Sequence, residues 1–223
     1  MKMDWQPLWL TFHLSLITTL VLLIIGVPLA YWLAYTRIRA KPIIETFISM
    51  PLVLPPSVLG FYLLIAMSPQ HAFGLWLEQY FNIRLIFSFS GLVIGSVFYS
   101  LPFMIHPLQS GFQHLPISLL EASRTLGKSD TVTLFRVLLP NMKPALLAAI
   151  VLSFAHTIGE FGVVLMIGGN IPGVTKVASI AIYDAVESLD YGAANFYAMV
   201  LFLISFSILL VVYVMNKKWV RPL

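Results

Sequence analysis

The sequence predicts an all-α integral membrane protein with about five transmembrane helices and one long cytoplasmic loop. Its 223 residues are 59% hydrophobic and 10% charged, whereas a soluble domain is roughly a quarter charged. Five segments are apolar and long enough to cross a bilayer, which takes about 20 residues per helix. The basic residues concentrate in alternate connections between these segments, as in multi-pass proteins. Lipid is therefore the expected solvent for most of the surface.

The five predicted spans follow the chain in order. The first, residues 8–35, is longer than a signal-peptide core and has no convincing cleavage site, so we expect it to be retained. The second covers residues 43–67, and the third, residues 89–106, is short and has room to extend toward Phe112. Residues 144–167 and 196–215 form the last two. The predicted transmembrane domain is residues 9–215, and we expect no regulatory domain after Leu223.

The basic residues predict the orientation. Cytoplasmic connections carry an excess of Lys and Arg, and ten of the 13 basic residues fall in one set of connections. These ten are Arg37, Arg39, Lys41, Arg124, Lys128, Arg136, Lys143, Lys217, Lys218 and Arg221. The opposite side holds only Lys2, Arg84 and Lys176. We therefore expect a multi-pass protein of the inner (plasma) membrane, with the N-terminus outside and the C-terminus in the cytoplasm.

Several kinds of site are not expected. The chain has no cysteine, so disulfide and thiolate-metal frameworks are excluded, and we expect no metal site and no catalytic residues. The bases do not cluster with aromatic residues, so we expect no nucleic-acid partner. Gly127, Lys128 and Ser129 look like the end of a phosphate-binding loop, but Ala122 stands at the first glycine position and a helix is predicted before it. We expect no nucleotide site on this chain.

Residues 117–140, here called the polar loop, predict a helix-turn-helix on the cytoplasmic side. Ser118 and Glu121 have the spacing of a capping box at a helix start. Gly127 suits a left-handed helix end. Ser129 or Asp130 is expected to cap a second helix. Two prolines that would end or bend this helix follow it: Pro140 and Pro144.

The polar loop holds more apolar side chains than a solvated loop requires. These are Leu119, Leu120, Leu126, Leu134, Phe135 and Leu138. They favour a loop docked on a partner, although an amphipathic loop without a partner has the same local chemistry.

The spacing of the polar loop resembles a known motif. Its EAS triplet, Glu121 to Ser123, is followed after three residues by Gly127, then after nine by Val137, then after one by Leu139 and Pro140. This resembles the EAA motif of ABC-importer permeases, with Ala122 at its second position. Two positions depart conservatively from the motif, Ser123 and Val137.

The resemblance implies a type I ABC-importer permease that is not itself an enzyme. In that family the loop forms a coupling helix that docks in a groove on a separate ATPase subunit, which binds ATP and Mg²⁺. No cofactor is then expected on this chain.

Four further segments resemble molybdate permeases. They are PLVLPPSVLGF at residues 51–61, FAHTIGEFG at 154–162, GNIPG at 169–173 and AIY at 181–183. The GEFG stretch is shared with sulfate permeases, and His156 stands where the family usually has arginine. The resemblance implies a homodimer that forms the pore, two ATPase subunits and a periplasmic molybdate-binding protein. Tungstate, sulfate or another oxyanion stays an alternative substrate. A secondary transporter, a channel or a membrane scaffold is a more distant alternative.

Prolines in the second span indicate a pathway. Pro51, Pro55 and Pro56 lack an amide proton and interrupt a helix, and freed carbonyls at membrane depth are tolerated where protein or a water-filled cavity covers them. We expect the translocation pathway or its gate to involve two groups: Leu54, Pro55, Pro56, Val58 and Gly60, and then Gly159, Glu160, Phe161 and Gly162. Plain helix packing explains the small residues of the second group equally well.

His156 and Glu160 are four residues apart, so on one helix they would share a face and pair. A bare carboxylate beside the pathway would repel an oxyanion. We therefore expect Glu160 to be a structural acceptor, bonded to backbone or to His156 beside the gate.

Overall fold

The computed structural model describes residues 4–219, and all regular structure in that range is helical. The long apolar runs form long helices, and prolines or glycines mark most of the breaks between them. In chain order the helices are α1 (Gln6–Tyr35), α2 (Lys41–Val53), α3 (Pro56–Met67), α4 (Ala72–Phe81), α5 (Phe89–His114), α6 (Ile117–Thr125), α7 (Asp130–Thr133), a π-helical segment (Leu134–Leu138), α8 (Leu139–Asn141), α9 (Lys143–Ile158), α10 (Gly162–Gly168), α11 (Ala178–Glu187) and α12 (Tyr191–Trp219).

Length and composition allow up to five membrane crossings within the described residues, as predicted. Three are single helices: Gln6–Tyr35, Phe89–His114 and Tyr191–Val212. Two are bent pairs, Lys41–Val53 with Pro56–Met67 at 116° and Asp130–Asn141 with Lys143–Ile158 at 87°. The first bend follows from the prolines, because Pro55 is extended and Pro56 begins the next helix.

Three predicted spans differ from the structure. The third span extends to His114 as a helix of 26 residues that contains Pro102 and Pro107. At 1.5 Å per residue this helix is about 39 Å long, more than the ~30 Å hydrocarbon core, so one end emerges from the bilayer. The fourth span is not continuous, because α9 stops at Ile158 and α10 restarts at Gly162. The fifth begins earlier than predicted, where the Asp190 carboxylate accepts the Ala193 amide at 3.0 Å.

The core is formed by α1, α5 and α9, which pack against one another along most of their lengths. Its largest fully buried side chain is Phe112 of α5, which meets Tyr31 and Tyr35 of α1. Leu138 and Met142 belong to the same apolar cluster, so the end of the polar loop is anchored to the bundle. On the other side α10 packs against α3 and α5, and α11 packs against α12.

Two helices were not predicted, α4 and α11, each of 10 residues. Both helices are too short to be predicted as membrane spans. Both lie in connections that are expected to face outward. The connection before α11 is held by the Asn170 amide, which donates to both Asp184 carboxylate oxygens at 2.9 and 3.0 Å, and by the Lys176–Asp184 ion pair. Burial opposes ionisation of Asp184, but these donors outweigh burial and lower its pKa.

Candidate functional site

The polar loop begins with α6, and the predicted capping box is wrong. Helix α6 starts at Ile117, and Pro116 occupies the N-cap position without a side-chain hydrogen bond. Ser118 is therefore already inside the first turn, and Glu121 lies on the exposed surface. Pro116 supplies the helix start that we assigned to Ser118, because its fixed φ turns the chain into α6.

The end of α6 confirms the prediction for Gly127. Gly127 has φ of 69°, its amide donates to the Arg124 carbonyl at 2.9 Å, and the Lys128 amide donates to the Ser123 carbonyl at 3.1 Å. This pair of bonds is a Schellman motif, which satisfies the last carbonyls of a helix. The turn therefore fixes the direction in which the chain leaves α6.

The second helix of the loop is capped by Ser129, as predicted, since its hydroxyl accepts the Val132 amide at 3.3 Å. A buried hydroxyl pair then joins the two helices: Ser123 Oγ lies 2.7 Å from Thr133 Oγ1. Thr133 also donates to the Ser129 carbonyl at 2.9 Å. Ser123, the departure from the motif's alanine, thus has a structural role that an alanine cannot fill.

The exposed surface of the polar loop is mixed apolar and charged. Glu121 and Ala122 are exposed, and so are three large apolar side chains: Ile117 (59%), Leu126 (74%) and Phe135 (60%). Val137 and Leu139 are half-buried against the bundle, and Pro140 is exposed. The residues of the EAA-like motif therefore divide between an outer surface and a face that packs on the bundle.

The breaks of the second and fourth spans meet at one cavity of about 570 Å³. It is lined by Pro56, Ser57, Tyr99, Ala155, His156, Gly159, Glu160, Phe161 and Gly162. Five of the nine predicted pathway residues thus lie together: Pro56, Gly159, Glu160, Phe161 and Gly162. They are brought together because α10 packs on α3, directly after the break that follows α9.

The remaining four predicted pathway residues lie elsewhere. Leu54 lines a separate groove along α2 with Glu45 and Ser49. Pro55 and Val58 are exposed and line neither cavity. Gly60 is buried against α10, where an added Cβ would lie 2.9 Å from Met166 Cβ, so it serves helix packing.

Gly159 and Gly162 differ in their surroundings. A Cβ on Gly162 would lie 2.7 Å from Pro56 Cβ, so this glycine allows α10 to touch the start of α3. A Cβ on Gly159 would lie 3.8 Å from the His156 carbonyl oxygen, at ordinary van der Waals distance. Helix packing therefore requires a glycine at position 162 but not at position 159.

The predicted pair of His156 and Glu160 does not form. Helix α9 ends at Ile158, so the two residues no longer share a helix face. His156 Nδ1 lies 2.9 Å from Ser100 Oγ, and its ring stacks on Phe103 with centroids 4.0 Å apart. The Glu160 carboxyl has no hydrogen-bond partner among residues 4–219, although its backbone carbonyl accepts the Ser179 hydroxyl at 2.6 Å.

Sequence reasoning missed the hydroxyl residues of this region. Ser57 and Tyr99 line the cavity, and Ser100 joins His156 to Thr157, whose hydroxyl is 3.0 Å away. Hydroxyls inside spans were an available signal, because they bond across membrane helices. Nothing in the sequence shows that α5 and α9 are neighbours.

The profile of a family described as "binding-protein-dependent transport system inner membrane component" matches residues 26–221. The chain belongs to this family. The predicted resemblance to importer permeases is therefore confirmed, and the up-to-five-span architecture is that of a membrane transport component.

Curated relatives of this inner membrane component include permeases with different named substrates. The chain is 46% identical to the molybdenum transport system permease protein ModB of Azotobacter vinelandii, over 94% of this chain and 93% of that protein. It is 31% identical to ModB of Escherichia coli (strain K12), over 83% and 81%. It is 30% identical to the sulfate transport system permease protein CysT of the same strain, over 89% and 71%.

Solved structures of importers share the fold of this inner membrane component. The MetNI methionine ABC transporter, in an inward-facing conformation, matches with a TM-score of 0.73 and 16% identity, over 96% of this chain and 95% of that one. A bacterial ABC transporter that imports alginate matches with a TM-score of 0.77 and 14% identity, over 97% and 79%. The predicted type I importer-permease fold is confirmed.

Proposed function

We propose that this chain is the membrane-spanning permease subunit of an ATP-driven molybdate importer, which also accepts tungstate. The observation that supports molybdate as the substrate is the 46% identity to a molybdenum transport permease over nearly the whole of both chains. The sulfate permease CysT is less similar and is matched over a smaller share of its length. A sulfate permease is therefore the second candidate.

The polar loop is the proposed docking element for a separate ATPase. Its outer surface combines Glu121 with three exposed apolar side chains, more apolar surface than a solvated loop needs. Its core is fixed by the Schellman turn and by the Ser123–Thr133 hydroxyl pair. A fixed shape suits a coupling element, because a loose loop would absorb the movement of its partner instead of passing it on.

ATP and Mg²⁺ are proposed to bind the partner, and the Gly-Lys-Ser stretch is not proposed as a nucleotide site. A phosphate-binding loop presents free backbone amides to phosphate oxygens. Here the amides of Gly127 and Lys128 donate to α6 carbonyls and are already used. The Gly-Lys-Ser stretch therefore serves as a helix end.

Two copies of the chain form the proposed pore, within a transmembrane domain of residues 9–215. The cavity at Pro56, Gly159, Glu160, Phe161 and Gly162 is the proposed pathway or gate, because two interrupted helices meet there. A periplasmic binding protein delivers the oxyanion to the outward face, and the polar loops face the cytoplasm. Closure of the ATPase pair on ATP brings the loops together and opens the pore outward, and hydrolysis resets it.

Vesicles test this function. The chain reconstituted with its ATPase and a molybdate-loaded binding protein is expected to take up molybdate only when ATP is present on the ATPase side. Uptake by the chain alone, driven by an ion gradient, would instead show a secondary transporter or channel.

A charge reversal tests the docking element. Glu121→Lys is expected to leave membrane insertion unchanged and to abolish stimulation of the ATPase, because Glu121 is exposed on the proposed docking surface. Glu121→Gln, which keeps the shape, is the matched control and is expected to retain most stimulation. Normal stimulation in the Lys variant would refute the docking surface.

A further inference from the structure

One ionisable group of the cavity has no partner that could support its charge. The side chain of Glu160 is 3% exposed. Both of its carboxyl oxygens are closed to solvent and lack a hydrogen-bond partner within residues 4–219. The four ion pairs found in that range involve other residues. Buried carboxylates in proteins are normally paired or hydrogen-bonded, so this one requires an explanation.

The residues that line the cavity with Glu160 include no lysine, arginine or other carboxylate. Helix α5 contributes Tyr99 to the cavity and places the buried Ser96 hydroxyl beside the Glu160 side chain. Helix α9 presents His156, whose Nδ1 is engaged by Ser100. From α11, Ser179 bonds the backbone carbonyl of Glu160, while Tyr183 packs on the Phe161 ring. No lysine or arginine lines the cavity.

An ionised Glu160 would therefore bear the desolvation penalty of a buried charge, offset only by the neighbouring Ser96 hydroxyl and by no ion pair within residues 4–219. A protonated carboxyl has no net charge, and its hydroxyl hydrogen can be donated to a neighbouring oxygen such as that of Ser96. We propose that Glu160 carries its proton in this conformation, so that the cavity is an uncharged, hydrogen-bond-donating site for a dianionic tetrahedral oxyanion. This inference rests on the proposed function for the identity of the ligand.

The other polar groups of the cavity suit a passing oxyanion. Ser57 and Tyr99 carry hydroxyls that line the cavity. Ser57 is also the second residue of α3, a helix in which Pro56 has no amide and the Val58 and Leu59 amides donate to the Pro55 carbonyl at 2.9 and 3.2 Å, so the hydroxyl is the group that Ser57 offers to the cavity. The cavity of about 570 Å³ is large enough to hold an anion with some of its water.

The neutral state of Glu160 removes an obstacle to transport. A carboxylate beside the cavity would repel a doubly charged anion, whereas neutral donors attract it weakly. Weak attraction suits a pathway, because the ligand must leave as readily as it enters. A protonated Glu160 therefore lines the pathway without repelling anions.

Infrared spectroscopy tests the protonation state directly. In the assembled complex, only this chain would carry glutamate with an isotope-labelled carboxyl carbon. None of the other glutamates is buried: Glu45, Glu78, Glu121 and Glu187. The expected result at neutral pH is an isotope-shifted carbonyl band of a protonated carboxyl, which disappears in Glu160→Gln. Absence of that band from the wild-type complex would overturn the proposal.

Transport gives an independent readout. Glu160→Gln mimics the neutral acid, so we expect it to retain at least half of wild-type molybdate uptake, as we expect of the control Glu187→Gln on the outward helix. Uptake below half in a correctly assembled Glu160→Gln complex would overturn the proposal. If that variant does not assemble, the infrared result on the wild type decides alone. Wild-type vesicles that take up no molybdate would refute the proposed function instead, and the infrared result would still stand.

Discussion

Replacement of Gly127 tests how the polar loop holds its shape. Its φ of 69° lies in the left-handed region, where a residue with a Cβ costs about 1–2 kcal/mol. A Cβ at this position would meet no atom within 4 Å, so the cost is conformational and not steric. Alanine also lowers the conformational entropy of the unfolded chain, and this offsets about 0.4–1 kcal/mol of the cost. The net expected cost of Gly127→Ala is therefore about 1 kcal/mol, a factor of about five in the opening equilibrium of the turn.

Hydrogen exchange of the Lys128 amide measures that opening, because this amide closes the Schellman motif on the Ser123 carbonyl. We expect exchange about fivefold faster in Gly127→Ala. Gly127→Asn is the matched control, and we expect it to exchange more nearly like the wild type, since asparagine tolerates the left-handed region. Gly127→Pro fixes the opposite sign of φ and removes the amide bonded to Arg124, so it should abolish substrate-stimulated ATPase activity. Equal exchange in the alanine and asparagine variants, or normal stimulation in the proline variant, would refute this reasoning.

Three further predictions concern the pathway, the outward loop and the topology. Gly162→Ala should impair uptake and cost about 1–3 kcal/mol, because its Cβ overlaps the proline that begins α3. Gly159→Ala should be tolerated, and equal uptake by the two variants would contradict the packing. The lowered pKa of Asp184 adds stability that is present above the usual aspartate range and lost on acidification. The melting temperatures of the wild type and Asp184→Asn should therefore converge as the pH falls. A difference between them that grows on acidification would contradict this expectation. Single cysteines at Glu187 and Lys128 in this cysteine-free chain should react with an impermeant reagent from opposite sides of the membrane. Labelling of both from outside intact cells would refute the orientation.

Much of the fold could be predicted from composition, because long apolar segments and their flanking bases are one-dimensional signals. The prolines at positions 55 and 56 also correctly predicted an interruption between α2 and α3. The break after Ile158 was not predicted because the apolar run resumes at Phe161, directly after Gly159 and Glu160, and hydropathy does not record where backbone hydrogen bonds stop. The short helices α4 and α11 were missed for a related reason, since neither is long enough to register as a span.

The candidate site was only partly predictable, for a geometric reason. Local turn chemistry identified Gly127 and Ser129 correctly, because each acts on its own neighbours in the sequence. The Ser118 cap was wrong because the competing Pro116 starts the helix itself. The His156–Glu160 pair assumed one continuous helix, and the partner that His156 has instead, Ser100, is 56 residues away. Contacts between distant segments depend on packing, which a single sequence does not display.

The proposed role of this chain is to form the pore of a molybdate importer. The most direct measurement is uptake of radiolabelled molybdate and sulfate into vesicles that hold the permease, its ATPase and its native binding protein. We expect ATP-dependent accumulation of molybdate, competition by tungstate and little accumulation of sulfate. Accumulation of sulfate as readily as molybdate would contradict the account and favour a sulfate permease.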